Sequence, residues 1–289
     1  MEYLIHILVI AGIYVILAQS LNLILGYTGL PALGHGAFSC VGAYVSALLA
    51  LQYGLTPWLG LIFGAAAATV LGFMVAVPCL RLKGDYLALA TLGFAVIVYS
   101  IAKNWVDVTR GPLGLPGIPG FSIFGFELSS VWLYLALVAL FVWLTTFLIR
   151  RVVDSPFGRI LQGIREDEIV TAALGKDVNR HKVIVFMIGA FFAGIAGSLY
   201  AHYITFIDPS SFTIMESITI LLMVVFGGMG SLKGSFVGAV VLVVLPELLR
   251  FLGLPSSIAA PLRQMIYGLL LVVLMLYRPQ GLLGKFKLQ

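Results

Sequence analysis

Charge is what this chain has least of: 12 acidic and 17 basic residues among 289, or 10%, against 61% hydrophobic residues. Soluble domains run at about 25% charged and about 45–50% apolar, so too little polar surface is available here to coat a globule in water. That shortage excludes a soluble enzyme, a disordered chain, a nucleic-acid module despite the formal charge of +5, and a single-pass receptor with a large water-exposed domain. Cysteine is rarer still. Cys40 and Cys79 both lie in apolar stretches and read as small buried side chains, not as a disulfide or metal pair. The start of the chain lacks the basic stretch and small-residue cleavage site of a signal peptide; Met1, Glu2 and Tyr3 lead directly into an apolar run that is expected to be kept as a first span.

The signatures of chemistry are also missing. The stretch from Gly227 to Gly234 is glycine-rich and holds Lys233, but its order is Lys-Gly, the reverse of a phosphate-binding loop. There is no His-Glu-x-x-His pair, no Cys/His ligand cluster and no Gly-x-Ser-x-Gly elbow, and His6, His35, His181 and His202 fall in separate elements. An intramembrane enzyme acting on lipid-linked substrates needs carboxylate or histidine pairs near one face, and this scatter disfavours it. The chain is therefore expected to bind no cofactor and to do no catalysis. Anything it moves uphill must draw on an ion gradient or on a partner that hydrolyses ATP.

What the sequence has in abundance is length of apolar run. No Asp, Glu, Lys or Arg occurs between Glu2 and Arg81, a stretch of 78 residues that at ~20 residues per crossing holds three spans. Breaks at Gly26 to Leu30 and at Gln52 to Thr56 place these at 4–25, 31–51 and 57–80; further apolar segments run at 85–103, 131–149, 183–204, 214–230, 235–250 and 263–277. The expected fold is an all-α polytopic membrane protein, a bundle of about 8–9 transmembrane helices in one domain over 1–289, with half-helices or re-entrant pieces among the last three segments. Small residues at four-residue spacing (Gly60, Gly64, Ala68 and Gly72; Gly189, Ala193 and Gly197; Gly230, Gly234 and Gly238) offer flat faces for close helix packing.

The segment 150–182 holds seven of the 17 basic residues, Arg150, Arg151, Arg159, Arg165, Lys176, Arg180 and Lys182, which places it inside the cell. Threading nine spans from that anchor puts 13 basic residues inside against four outside (Lys103, Arg110, Arg250 and Arg263), with the amino terminus outside and the carboxyl terminus inside. Within the segment, Ser155-Pro156 is a helix start, and Phe157, Ile160, Leu161 and Ile164 make one apolar stripe. Asp167 is placed to cap a second short helix whose Ile169, Val170, Ala173 and Leu174 share a face and whose end is marked by Gly175. Two short helices lying along the inner surface, with nearly balanced charge, suit a protein partner of mixed charge better than anionic lipid.

Polar residues inside the spans are few. Gln19 and Asn22 share a face of the first span, Thr28 and His35 flank the entry to the second, Thr91 lies in the fourth and Glu216 near the outer end of the seventh. Each is a candidate either to contact a passing solute or to bridge helices. Glu247 and Arg250 are spaced to pair on one helix face, and Asp208-Pro209 reads as a turn.

The run GRILQGIREDEIVTAALGKDVNRHKV at 158–183 resembles the coupling loop of LivM-type permease subunits of bacterial branched-chain amino-acid ABC importers. The likeness continues in order through LNLILGYTGLPALGHGAFSCVGAY at 21–44, RLKGDYLALATLGF at 81–94, TRGPLGLPGIP at 109–119, FGGMGSLKGSFVGA at 226–239 and RPQGLLG at 278–284. The resemblance implies a bacterial inner-membrane protein paired with a related permease subunit, with two ATPase subunits beneath and an extracytoplasmic solute-binding protein delivering Leu, Ile or Val. Relatives of this family also carry urea or short amides. By the same resemblance Gly158, Arg159, Arg165, Glu166, Glu168, Ala172, Ala173 and Gly175 form the ATPase socket, and the loop from Arg110 to Gly120 lies outside, either as a stiff turn or as a contact for the binding protein.

Overall fold

A computed structural model of the chain describes residues 2–79, 82, 84–123, 126–127, 130–250, 265–270, 272–273, 276–278 and 280–284. Its helices are α1 (Glu2–Thr28), α2 (His35–Tyr53), α3 (Pro57–Cys79), α4 (Asp85–Asn104), α5 (Val106–Thr109), α6 (Val131–Asp154), α7 (Pro156–Glu166), α8 (Glu168–Ala173), α9 (Val178–Ile204), α10 (Ile214–Gly227) and α11 (Leu232–Arg250). Residues 265–270, 272–273 and 276–277 are helical as well, and the Tyr267 hydroxyl donates to the Leu242 carbonyl of α11 at 2.6 Å. Among the described residues seven helical segments are long and apolar enough to cross a membrane, the last being Pro209–Gly227. The remainder of the expected 263–277 span, with Arg81, Lys83, Arg263, Lys285 and Lys287, lies outside the described residues.

The span boundaries differ from the expected ones for local reasons. Gly26 does not break α1; a Cβ there would come within 2.5 Å of the Gly230 backbone nitrogen, so this glycine is kept for packing. The break falls at Gly29, whose φ of +72° suits glycine, and whose N–H donates to the Leu25 carbonyl at 3.0 Å. Residues 29–34 are then non-helical, with Leu30, Ala32 and Gly34 buried, and the Leu33 N–H finds the Thr91 hydroxyl at 3.0 Å. α9 starts five residues earlier than the apolar run because Asp177 caps it, accepting from the Arg180 N–H at 3.0 Å.

In lipid no hydrophobic force presses helices together, so the packing rests on backbone approach. α9 is the central helix. Its Gly194 lies against Ala65 and Ala68 of α3 and against Gly42 of α2, and its Gly197 against Ser39 of α2. Gly60 and Gly64 of α3 meet Ser46 and Gly42 of α2 in turn. Of the small residues read from the sequence, Gly60, Gly64, Gly72 and Gly197 are thus contact points of one three-helix unit, while Gly189 lies against Ile24 and Ser20 of α1. Gly234 and Gly238 pack on Gly227 of α10, making a tight pair of α10 with α11.

α10 has 14 residues, ~21 Å at 1.5 Å per residue, which falls short of a ~30 Å hydrocarbon layer. It stops at Gly228, whose φ of +114° favours glycine, and its last carbonyls are satisfied from a distance: Leu282 and Leu283 donate their N–H groups to Phe226 and Gly227 at 3.0 and 2.9 Å. Two of the quoted sequence blocks, 226–239 and 278–284, therefore meet in space. Asn22 locks the same turn to α1. Its side-chain oxygen accepts from the Gly230 N–H at 2.9 Å, and its amide donates to the Ser231 carbonyl at 3.0 Å and the Ser235 hydroxyl at 2.7 Å.

At the opposite end of the bundle the chain from Trp105 to Ser122 is an ordered cap. Two short strands, β1 (Leu115–Pro116) and β4 (Phe206–Ile207), pair antiparallel with Leu115 opposite Ile207; β2 (Ser122–Ile123) pairs with β3 (Phe126–Glu127). Leu115, Ile118 and Phe121 anchor the cap in the core, and Trp58 donates its indole N–H to the Ser122 carbonyl at 2.8 Å. Leu113, at 80% exposure, stands at its surface.

The three hydrogen bonds of Asn22 make it the residue on which the α1–α11 junction most depends. Asn22→Leu leaves the buried Gly230 N–H without its acceptor, a loss of about 1–3 kcal/mol. Thermal unfolding in detergent should show a lower midpoint, and an unchanged midpoint would remove Asn22 from that role.

Candidate functional site

The helix pair α7–α8 is built as the sequence pattern requires. Ser155 caps α7, accepting from the Gly158 N–H at 3.4 Å, with Pro156 in the first helical position. Asp167 caps α8, accepting from the Ile169 and Val170 N–H groups at 2.8 and 3.0 Å. α8 ends in a Schellman turn: Gly175 has φ +76°, its N–H donates to Ala172 at 2.9 Å, and that of Lys176 to Thr171 at 3.4 Å.

The two helices treat their apolar faces differently. On α7 the stripe is turned inward; Leu161 and Ile164 are buried, Phe157 and Ile160 half-buried, and Phe157 stacks on His181 of α9 with ring centres 5.2 Å apart. On α8 the apolar face is turned outward, with Ile169 at 74%, Val170 at 54% and Leu174 at 73% exposure. An exposed cluster of this kind on a charged, capped helix is the mark of a contact surface.

Two charges fix this pair to the bundle. Lys182 of α9 is 3% exposed, and its ammonium lies 2.7 Å from the Glu168 carboxylate of α8. Arg165 of α7 donates to the Gly26 carbonyl in the last turn of α1, where carbonyls lack helical partners and the helix dipole favours a cation. Burial pulls the Arg165 guanidinium below its usual value and Glu166 partly offsets this; a guanidinium remains charged at any physiological pH.

The eight residues of the expected ATPase socket therefore separate. Arg159, Glu166, Ala172, Ala173 and Gly175 are exposed, Gly175 ending α8. Arg165 and Glu168 hold the pair to α1 and α9. Gly158 is buried against the Val152 and Val153 carbonyls with no room for a Cβ. Ile169, Val170 and Leu174 were missing from that set, although their shared face was visible as sequence periodicity.

Gln19, Asn22 and His35 bridge helices, while Thr28 is bonded within its own helix and Thr91 within its own helix and to the 29–34 stretch. Gln19 accepts from Thr146 of α6 at 2.9 Å, Thr28 donates to the Leu23 carbonyl at 3.1 Å, and Thr91 donates to Ala88 at 2.9 Å while accepting from Leu33. His35, fully buried, bonds through Nε2 to the Ser20 hydroxyl at 2.7 Å. His202, which the sequence offered only as one of four scattered histidines, joins Ser46 and the Pro119 carbonyl, each at 2.7 Å; the carbonyl only accepts, so Nδ1 carries the proton and Nε2 accepts from Ser46. Glu247 accepts from the Tyr3 hydroxyl, while the side chain of Arg250, its expected partner, lies outside the described residues.

Glu216 stands apart. It half-emerges into a cavity of about 180 Å³ between α1, α2, α9 and α10, and the Tyr14 hydroxyl is hydrogen-bonded to its carboxylate. The rim is the 208–212 turn. There Asp208 accepts from the Ser211 hydroxyl at 2.6 Å and N–H at 3.2 Å and from the Ser210 hydroxyl. Burial pushes the Asp208 carboxyl up, but these bonds outweigh it and hold it below the usual carboxylate range. The turn keeps this support above that range and loses it as pH falls through the lowered value.

A bundle of membrane-length helices with a clamped helix pair at one end and a small internal cavity defines a multi-pass integral membrane protein. Comparison with known proteins gives the particular kind. The family described as branched-chain amino acid transport system / permease component matches residues 3–275, and the chain belongs to that family. It is 40% identical over 295 residues to the high-affinity branched-chain amino acid transport system permease protein LivM of Escherichia coli strain K12, covering 94% of this chain and 68% of that one. It is 28% identical over 314 residues to the probable LivM protein of Methanocaldococcus jannaschii, covering 94% and 90%. The permease protein LivH of Salmonella typhimurium is 25% identical over 288 residues, covering 94% and 91%. No solved structure matches the chain.

The Glu168–Lys182 pair sets the position of α8. Glu168→Ala leaves a buried lysine unpaired; loss of one partner from a fully buried pair costs about 3–5 kcal/mol, and the third of Glu168 that is exposed moves the expected cost below that range. Hydrogen exchange of the amides at 169–175 should quicken by about 10-fold or more. The double change Glu168→Leu with Lys182→Met should restore much of the protection. Unchanged exchange in Glu168→Ala would show that α8 is held by something else.

Proposed function

We propose that this chain is one of two permease subunits of an ATP-driven importer, passing Leu, Ile or Val across the inner membrane of a bacterium. The observation that carries this is the α7–α8 pair: an outward apolar face at Ile169, Val170 and Leu174 on an element charge-clamped to α1 and α9. Family membership and the similarity to LivM and LivH proteins support the cargo and the pairing of two related permeases.

In this reading the chain binds no cofactor and does no catalysis. ATP is used by two ATPase subunits, one of which seats against α8 through the exposed apolar residues with Arg159 and Glu166 beside them. A ligand-driven change of shape shifts the spans only if the two nucleotide states of the motor favour different arrangements of them, and the clamp is what passes that preference on. In this reading the Lys and Arg of the 150–182 segment put this end in the cytoplasm, with the amino terminus outside and the carboxyl terminus inside. The ordered cap from Trp105 to Ser122 then faces outward and meets the solute-binding protein with its exposed surface, Leu113 included.

The test is ATP-driven leucine uptake by the assembled transporter in vesicles. Ile169→Asp with Val170→Asp removes two apolar contacts of about 1.5–3 kcal/mol each, so retention of the ATPase subunits and uptake should both fall by more than ~10-fold. Unchanged retention and uptake would contradict the assignment of α8, and concentrative uptake by this chain alone under an ion gradient would contradict the proposal as a whole.

A further inference from the structure

α6 packs chiefly on α1, while α9 is seated on α2 and α3, and the two helices touch each other only lightly. A groove of about 630 Å³ runs between them, open at the surface of the bundle. α6 lines it with Leu148, Arg151 and Ser155 and α9 with Ile184, Ile188 and Phe191, in each case one helix face. Seven residues at 1.5 Å per residue make it ~10 Å long. Because α7 follows α6 directly, Arg151 and Ser155 mark the end nearest the α7–α8 pair, and Leu148 and Phe191 lie deeper in the span.

Neither glycine nor alanine lines this groove. Helices in lipid seat against each other through such small residues, and Gly64 of α3 and Gly194 and Gly197 of α9 are already used against α2. The large side chains here leave a channel suited to a flexible chain, not to a helix about 10–12 Å across. Its two hydroxyl groups are spent. That of Ser155 donates to the Val152 carbonyl at 2.6 Å, and that of Thr69, the α3 residue in the lining, to Ala65 at 2.8 Å, so neither has a hydrogen left for a ligand. Arg151 is the one charged lining residue. It is exposed and, among the described residues, has no ion pair, whereas its neighbour Arg150 lies 3.4 Å from Asp154. α6 has 24 residues, ~36 Å against a hydrocarbon layer of ~30 Å, so Arg151 in its last turn stands at the level of the lipid headgroups.

We infer that this groove binds one anionic phospholipid, with the headgroup phosphate on Arg151 and an acyl chain along Leu148, Ile184, Ile188 and Phe191. The inference goes beyond transport and holds for the chain as a membrane protein whatever its cargo. Burying an acyl chain brings little by itself, because the bilayer solvates it equally well; the arginine supplies the preference and the groove fixes the place. A guanidinium offers a phosphate two parallel N–H donors and stays charged at any physiological pH. A chain held there fills the gap between α6 and α9 beside Ser155, the cap of α7, and so joins two helices that scarcely touch.

The experiment reconstitutes the protein, in the assembly it forms in its own membrane, into vesicles of equal parts dioleoyl phosphatidylglycerol and dioleoyl phosphatidylcholine, and counts by native mass spectrometry the lipids retained on release. Phosphatidylglycerol should be retained over phosphatidylcholine by about fivefold, the factor that one arginine at an anionic headgroup surface supplies. Arg151→Gln should bring the two lipids close to parity, and Arg150→Gln, which removes a cation that is already paired, should leave the preference in place. Leu148→Trp fills the groove with Arg151 intact and should lower retention of phosphatidylglycerol. Equal retention of the two lipids by the unmodified protein, or a preference that survives Arg151→Gln, would overturn the inference. So would an equal loss in Arg150→Gln, which would mean diffuse attraction, or release of the lipid by excess glycerol phosphate, which would mean a site for the free anion. Cross-linking of a cysteine at position 148 to another subunit would give the groove to a protein and overturn it as well. The comparison of lipids on the unmodified protein decides the matter even if a variant does not assemble.

Discussion

The ion pair between Lys182 and Glu168 is the constraint around which one end of this protein is arranged. An ammonium at 3% exposure loses nearly all of its hydration, a penalty of several kcal/mol, and the carboxylate 2.7 Å away is what makes that tolerable. Because Lys182 belongs to α9 and Glu168 opens α8, the short helix cannot leave without stranding a charge beneath the central helix of the bundle. Arg165 repeats the logic on the other side, its guanidinium meeting the Gly26 carbonyl at the end of α1. Two polar contacts thus tie one surface element to two different spans, while the face of α8 that is left over is apolar and open.

The bundle behind that clamp is suited to move in blocks. α9 meets α2 and α3 through Gly42, Gly64, Gly194 and Gly197, where backbones touch and no side chain is available to yield. α10 and α11 form a second close pair, joined to α1 by Asn22 and closed by the N–H groups of Leu282 and Leu283. Packed units of this kind shift as rigid bodies, because interfaces without slack have discrete arrangements and not a continuum. The cavity with Glu216 lies between the two units, where a relative movement would change its shape.

Much of this was legible in the sequence, and what was not has physical causes. Scarcity of charge dictates a membrane solvent, and spans of ~20 residues then follow from the bilayer's thickness. Ser155, Asp167 and Gly175 announced α7 and α8 because capping is local chemistry, needing only neighbours within four residues. Gly26 misled because a glycine kept for close approach looks the same as one that breaks a helix. The start of α9 was misplaced because Lys182 reads as a loop residue until Glu168, on a different helix but 2.7 Å away in space, neutralises it, and because the cap at Asp177 lies in a polar stretch. Partnerships such as Asn22 with Gly230 span more than 200 residues, and periodicity carries no information about them. The same limit applies to the candidate pathway residues: Gln19, Asn22, Thr28, His35 and Thr91 could be located as polar groups among apolar ones, but only the fold shows that each has a structural partner and that Glu216 faces a cavity.

Membership of a permease family and the clamped, outward-facing α8 come together in one central claim, that the α7–α8 pair, α9 and α2 move as one body when a motor acts on α8. The most direct measurement is the distance between spin labels at Leu174 on α8 and Tyr53 at the far end of α2, both strongly exposed, in the assembled transporter with and without ATP. The account predicts one narrow distance, the same in both states. A second population, or a displacement approaching the ~5 Å of one helical turn, would show α8 moving independently of the bundle and contradict it.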